Sequence, residues 1–311
     1  MEPKIPNRPV FVAFAMIVLF TGINALAVKS TEAELAPFWG AAIRFGAAAI
    51  ILFILVLILH LPLPRGRSLM GAVIFGILGS GISRALLYYA LEKLPSGPSM
   101  VLLALVPLLT FLFACMHKLE AFKLKSLAGS FLAVGGIAVI MQGRVGTDMP
   151  ILPVLAVVGA AACFAEATVV IKLFPQSHPI TTNAVALSTG SVFLFFLSAL
   201  SRETPSLPSS VTTWESLLYL IVIGSVATFI LTVYVINHWT ASASSYQFVL
   251  FPIITIILGA WLAHEAMSGD LFLGSSLVLS GVYIGGIAKK GLVKSMFNGL
   301  SVRKKVRATD C

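Results

Sequence analysis

The sequence predicts an all-α integral membrane protein: ten transmembrane helices arranged as two inverted five-helix repeats. Three observations predict it. The 311 residues are 58% hydrophobic and only 11% charged, with a mean hydropathy of +1.00. Their apolar residues gather in ten long segments, and the chain resembles itself at a spacing of 145 residues. A soluble domain is about a quarter charged, and no soluble packing hides this much apolar surface behind so few charges. The composition therefore excludes a soluble enzyme, a disordered chain and a secreted disulfide scaffold. Cys115, Cys163 and Cys311 are an odd, sparse set that indicates neither a disulfide framework nor a zinc site.

A bilayer core of about 30 Å needs roughly 20 apolar residues as helix. In chain order the segments are 9–28, 36–59, 69–91, 96–117, 124–141, 151–173, 181–200, 214–236, 240–263 and 271–288. Ala25-x-Ala27 imitates a cleavage signal at the end of the first, but the repeat needs that helix. The second and eighth segments carry Trp39 and Trp214 near their ends, and the ninth carries Trp239 and Trp261 at its two ends. An amphipathic ring suits the headgroup layer. The links are short, the longest running from Ser201 to Thr213, so no segment outside the membrane forms a domain.

Lysine and arginine placement sets the orientation. With a cytoplasmic N-terminus, the inner side holds Lys4, Arg8, Arg65, Arg67, Lys118, Lys123, Lys125, Lys172 and seven residues of the tail, fifteen in all. The outer side holds four: Lys29, Lys93, Arg144 and Arg202. Both termini are thus expected inside the cell membrane. The net charge of +9 is a topology signal and a lipid-facing tail, with no need for nucleic acid. In that tail, Leu292, Met296, Phe297 and Leu300 share one helical face opposite lysines, as in an interfacial helix on anionic lipid.

At the 145-residue offset, residues 79–136 lie on 224–281 without a gap and with 14 identities in 58 positions, among them Gly79-Ser80 on Gly224-Ser225, Pro107 on Pro252 and Glu120 on Glu265. This divides the chain into a first repeat (1–145), a second (146–288) and a basic tail (289–311). Five helices are an odd number, so the second copy enters from the opposite side. The charges agree, because the loop from His117 to Lys125 carries three lysines and its mate from Leu262 to Asp270 carries none. Inverted repeats are a recurrent device of secondary transporters.

The run Leu87-Tyr88-Tyr89-Ala90-Leu91-Glu92-Lys93-Leu94-Pro95-Ser96-Gly97, followed by Pro107, Glu120, Gly129 and Gly135-Gly136, resembles the EamA-type half of the drug/metabolite transporter superfamily. Ile43-Arg44-Phe45 and Phe20-Thr21-Gly22-x-Asn24 fit it too, with Phe20 where a tryptophan is frequent; Cys163-Phe164-Ala165 stands where that family often has a tryptophan and an alanine. The likeness covers about residues 10–288 and is specific for fold, not for solute. It implies a central cavity lined by helices one, three, four, six, eight and nine. It also implies transport of amino-acid-like or other small metabolites, often outward, or alternatively uptake or exchange of a nucleotide-related or other anionic metabolite.

Three ionisable residues lie inside apolar runs: Arg44, Arg84 and Glu166. Each costs about 2.5–3.5 kcal/mol at a helix centre, so each should face protein or water. At 1.5 Å per residue, Arg44 and Arg84 lie about 12 Å and 10 Å below the outer helix ends, and Glu166 about 22 Å down helix six. Arg84 reads as a carboxylate or phosphate contact, or as a snorkelling or carbonyl-bonded arginine. Glu166 reads as a proton or amine site, or as a neutral acid bonded in a dry bundle. Arg44, on a helix that is not a main cavity wall, reads as structural. Asn24, Tyr89 and Gln247 lead the remaining substrate-contact candidates, ahead of Thr21, Tyr88, Ser99, Ser242, Ser245 and Tyr246.

Pro107 and Pro252 each remove a mid-helix hydrogen bond and read as paired gating hinges or as static kinks, with Thr110 and Thr255 one turn on able to bond the strained backbone. Glu120 and Glu265 open helices five and ten, where a carboxylate meets a positive helix N-terminus. Gly281-x-x-x-Gly285 is a close-packing seam, within one chain or between two chains of a homodimer. No cofactor motif, phosphate loop or GxSxG is present, and His264-Glu265 lacks the second histidine of a zinc motif. The five histidines sit at helix ends, which disfavours a membrane-embedded enzyme, and the asymmetric polar lining disfavours a channel. The expected protein is a secondary transporter with a small-molecule substrate and the lipid bilayer as partners.

Overall fold

The computed structural model describes residues 7–91, 93–94, 99, 102–140, 150–251, 253–254 and 269–287. Pro252, Thr255, Trp261, His264, Glu265, Cys311 and the basic tail lie outside the described residues. The described residues form helices and connecting turns, and helix covers part of each of the ten apolar segments.

Helix α1 is Arg8–Glu32 and α2 is Pro37–Ile58, each with a proline in its first turn, where the missing N–H costs nothing. Helix α3 runs Arg67–Leu91 and widens into a π-helical bulge at Gly76–Ile82. Helix α4 is Val106–Met116 and α5 is Leu124–Ile140. In the second copy α6 is Ile151–Leu173, α7 is Pro179–Leu200 and α8 is Val211–His238, with a π bulge at Val222–Ala227. Helix α9 starts as Ala241–Ser245, capped by the Thr240 hydroxyl on the Ala243 amide, and continues over residues 247–251. Helix α10 is Gly269–Val282 followed by a π turn, Tyr283–Ile287. Helices α2, α3, α6, α7 and α8 are each long and apolar enough to cross a membrane. Large apolar side chains such as Ile50, Leu57, Leu152, Val192, Phe196 and Leu218 point outward, as lipid contact requires.

Repeat mates pack on one another. Helix α2 lies along α7 and α5 along α10, while α3 meets α6 as α8 meets α1. The self-paired mates run antiparallel. On α2 and α7, Trp39 stacks edge-on with Phe195 and Ser191 donates to the Ala42 carbonyl at 2.8 Å. On α5 and α10, Gly129 meets Gly281 while Gly136 meets Gly274. A helix that pairs antiparallel with its own copy makes the repeats inverted. The glycine seam thus closes α5 on α10 within one chain, and a Cβ at Gly129 would stand 2.6 Å from the Gly281 carbonyl oxygen. The two bulges are mates as well, because each is built around the repeated Gly-Ser pair.

Some expectations change. Pro107 is not mid-helix: a turn at residues 104–105 precedes it and it occupies the first turn of α4. There a proline starts a helix rather than bending one. Thr110 does bond the backbone beside it, donating to Val106 O at 2.7 Å. Trp239 is buried against Phe11 and Phe14 instead of facing headgroups. Glu120 caps α9 rather than its own helix. It accepts from the Ser242 amide at 3.0 Å and the Ser242 hydroxyl at 2.5 Å.

Candidate functional site

A cavity of about 140 Å³ lies between the repeats, walled by α1, α2, α3 and α8 and completed by α6, α9 and Leu103 ahead of α4. Its polar wall holds Thr21, Asn24, Arg44, Arg84, Tyr88 and Gln247. Its floor is aromatic: Phe164 stacks edge-on with Phe248 at 4.5 Å, and Phe248 with Phe251 at 5.9 Å. A narrow funnel of about 20 Å³ shares Val28, Arg44 and Tyr88 with the cavity and runs to the α1–α2 loop past Glu32, Ala36 and Pro37.

The α8 bulge organises one side of this cavity. A π turn misaligns the backbone ladder, and such bulges gather at functional sites. Here Arg44 Nη2 donates to Gly224 O at 2.9 Å and Arg44 Nε donates to Ser225 Oγ at 2.8 Å. Asn24 Nδ2 donates to the same carbonyl at 3.3 Å. Arg44 is 7% exposed, so it is a cavity-wall residue that also ties α2 to α8. The sequence reading kept it off the wall because its helix was expected at the periphery. The bulge brings α8 within its reach.

Arg84 follows the α3 bulge and lines the same cavity. Its Nε is buried without a hydrogen-bond partner, as is Asn24 Oδ1. Among the described residues the single ion pair is His117–Glu166, so neither arginine is paired with a carboxylate. Gln247 is buried on the cavity wall. Tyr89 does not line the cavity: it packs against the adjoining hydrophobic cluster, and its hydroxyl accepts from Lys93 Nζ at 3.3 Å. Of the five substrate-contact candidates, the structure gathers Arg84, Asn24 and Gln247. Tyr246 bonds Ser130 across α9 and α5 at 3.2 Å, and Ser245 bonds back to Ser242 O.

Glu166 stands apart from the cavity. It is half-buried at the opposite end, with Oε1 2.7 Å from Nε2 of His117 on the C-terminus of α4. It is therefore not in the dry bundle that its apolar flanks suggested. Lys172 Nζ donates to Trp239 O at 2.6 Å nearby. Together with Glu120 on Ser242 and the apolar contact of Ala114, Val169 and Ala241, these bonds close that end of the molecule.

Sequence reasoning missed a reciprocal clamp at the funnel end. Glu34 accepts from the amides of Ser209 (2.6 Å) and Ser210 (3.3 Å) and the Thr213 hydroxyl (2.9 Å) at the start of α8. Glu203 accepts from the amides of Phe38 (3.1 Å) and Trp39 (2.7 Å) at the start of α2. Each loop carboxylate thus caps the helix that the other loop precedes. The Ser210 side chain, the Ser209 amide and the neighbouring hydroxyls hold the Glu34 carboxyl down to about 2. The signal was two acids in loops just ahead of helix starts, but only the fold shows which helix each one meets. The described residues contain no cluster of three metal-ligating side chains.

Inverted five-helix repeats around a polar, partly unsatisfied cavity define a membrane transporter. The chain belongs to the EamA-like transporter family, whose model matches residues 9–142 and 151–285. It is 26% identical to an uncharacterized transporter of Archaeoglobus fulgidus over 274 residues, covering 88% of this chain and 97% of that one. It is 24% identical to the uncharacterized inner membrane transporter YedA of Escherichia coli K12, covering 89% and 90%. It is 25% identical to the uncharacterized transporter YvbV of Bacillus subtilis 168, covering 90% and 92%. A crystal structure 19% identical in sequence superposes with a TM-score of 0.75 over 89% of this chain and 97% of that one, a likeness of fold.

Proposed function

We propose that this transporter moves small organic metabolites across the cytoplasmic membrane by alternating access, as an exporter with both termini in the cytoplasm. The observation that carries this reading is a cavity between inverted repeats, reached by a funnel at one end and closed at the other. With the orientation read from lysines and arginines, the funnel faces outward, on the side where an exported solute would leave. Arg84, Asn24 and Gln247 serve as solute contacts. Glu166 serves in the inner closure with His117, the contact that ties α6 to the end of α4; Pro107 sits in the first turn of α4, between cavity and closure.

Two experiments test this. Purified protein in liposomes, loaded with a panel of metabolites, should show counterflow of at least one; a panel without any counterflow overturns the reading. For topology, Leu207 and Phe122 are exposed loop residues on opposite ends. Cysteine at each, in a variant lacking Cys115, Cys163 and Cys311, should react with an impermeant thiol reagent on intact cells at 207 and stay silent at 122. The reverse pattern inverts the topology. Ser126 is unsuitable for this probe because it is buried and bonded to Gly285 O, so burial alone would silence it.

A further inference from the structure

We infer that Arg44 and Arg84 form an anion subsite at the funnel end of the cavity, which makes the cargo an organic anion: a carboxylate or phosphonate-type head on an apolar body. This rests on the transporter reading and adds the solute class to it. Two guanidinium groups line one cavity of about 140 Å³, with Tyr88 on the same wall. Arginine has five donors. Arg44 spends two bonds on Ser225 and Gly224, and Arg84 makes no hydrogen bond among the described residues, its Nε sealed from water.

The described ion pairs join neither arginine to a carboxylate. Glu32 stands on the funnel wall, outside the cavity proper. Charges kept at membrane depth pair with one another or mark a solute path, and two like charges cannot pair with each other. A planar anion supplies what both lack, because a guanidinium fork matches a carboxylate or phosphonate with two parallel hydrogen bonds. The aromatic floor of Phe164, Phe248 and Phe251 receives the apolar body. Since Arg44 also grips the α8 bulge, an anion held there is linked through Arg44 to the second repeat.

The test uses the purified full chain and four matched probes: benzoate, phenylphosphonate, neutral benzamide and cationic benzylamine. Benzoate and phenylphosphonate should raise the unfolding temperature in detergent, and benzamide and benzylamine should not. Arg84→Gln should weaken benzoate binding by about tenfold or more, and Arg84→Lys, which keeps the charge but not the fork, should fall between it and the wild type. Because Arg84 makes no hydrogen bond, Arg84→Gln should stay folded, checked by its unfolding temperature and by gel filtration. No response to either anion, an equal response to benzylamine, or unchanged benzoate affinity in Arg84→Gln overturns the subsite. Arg84-dependent benzoate binding without counterflow of benzoate or of any panel metabolite supports the subsite and overturns the transporter reading instead. Counterflow of cationic or neutral solutes alone overturns the subsite and leaves the transporter.

Discussion

The bulges of α3 and α8 are the same solution used twice with different side chains. Both widen around a Gly-Ser pair, and both are packed against a mate helix, α7 on the α3 bulge and α2 on the α8 bulge. On α7, the mate of α2, the side chain set against the α3 bulge is Thr189. Thr189 meets the α3 bulge at Gly76 and satisfies its own hydroxyl on Val185 O and Ala186 O. Arg44 instead reaches across to Gly224 and Ser225. The fold therefore needs a helix against each bulge but not a charge there, since the α7 copy does without one. The charge on the α2 copy sits where the cavity is.

This comparison makes predictions. The largest effect should come where the copies are alike. Gly136→Val and Gly281→Val, mates at the 145-residue offset, each drive a side chain into the facing backbone of the α5–α10 seam and should each cost about 3 kcal/mol, read as matched drops in the unfolding midpoint. A large inequality would break the two-fold relation. Next, the two bulges should part company. Arg44→Met removes both bonds to the α8 bulge and should cost about 2 kcal/mol, whereas Thr189→Ala should cost under about 1 kcal/mol. Equal costs would show that the two Arg44 bonds to the α8 bulge add no stability beyond what the α7 copy has.

A smaller effect belongs to the Glu34 clamp. Its carboxyl is held at about 2 against an ordinary 4.5. A lowered folded value stabilises above the unfolded one and is lost as pH falls through the folded one. A spin label at Leu207→Cys should therefore keep one mobility from pH 8 to about 5 and loosen only as pH drops below about 4.5 toward 2. Loosening near neutrality would assign the loop's order to another contact. The smallest change in stability is expected for Arg84→Gln, within about 1 kcal/mol and upward in sign, because it removes a buried charge that has no partner. A marked loss of stability would reveal a structural bond at Arg84.

The helices were legible because bilayer-length apolar runs admit few other structures. The interval 151–173 matches α6 from end to end, and 36–59 matches α2 within one residue at each end. Arg84, Asn24 and Gln247 were legible as polar groups on faces that the repeat turns inward. The misplaced residues share one cause. Arg44, Glu166, Glu120 and Trp239 were each judged by their own helix, and each is decided by another: the α8 bulge, His117 on α4, the start of α9, and Phe11 and Phe14 on α1.

What the sequence by itself determined is the all-α membrane class, the repeat and its inversion, because hydropathy, charge bias and self-similarity are properties of the chain alone. Only the tertiary structure decided that the α5–α10 glycine seam closes within one chain, that α4 breaks before Pro107 rather than bending at it, and that Glu34 and Glu203 clamp each other's helices. It alone decided that two arginines 40 residues apart, on α2 and α3, line one cavity while Glu166 lines none of it. The reason is physical: apolar periodicity specifies that a helix forms, whereas the partner of a buried polar group depends on where the backbone of a different helix leaves a carbonyl or an amide unspent.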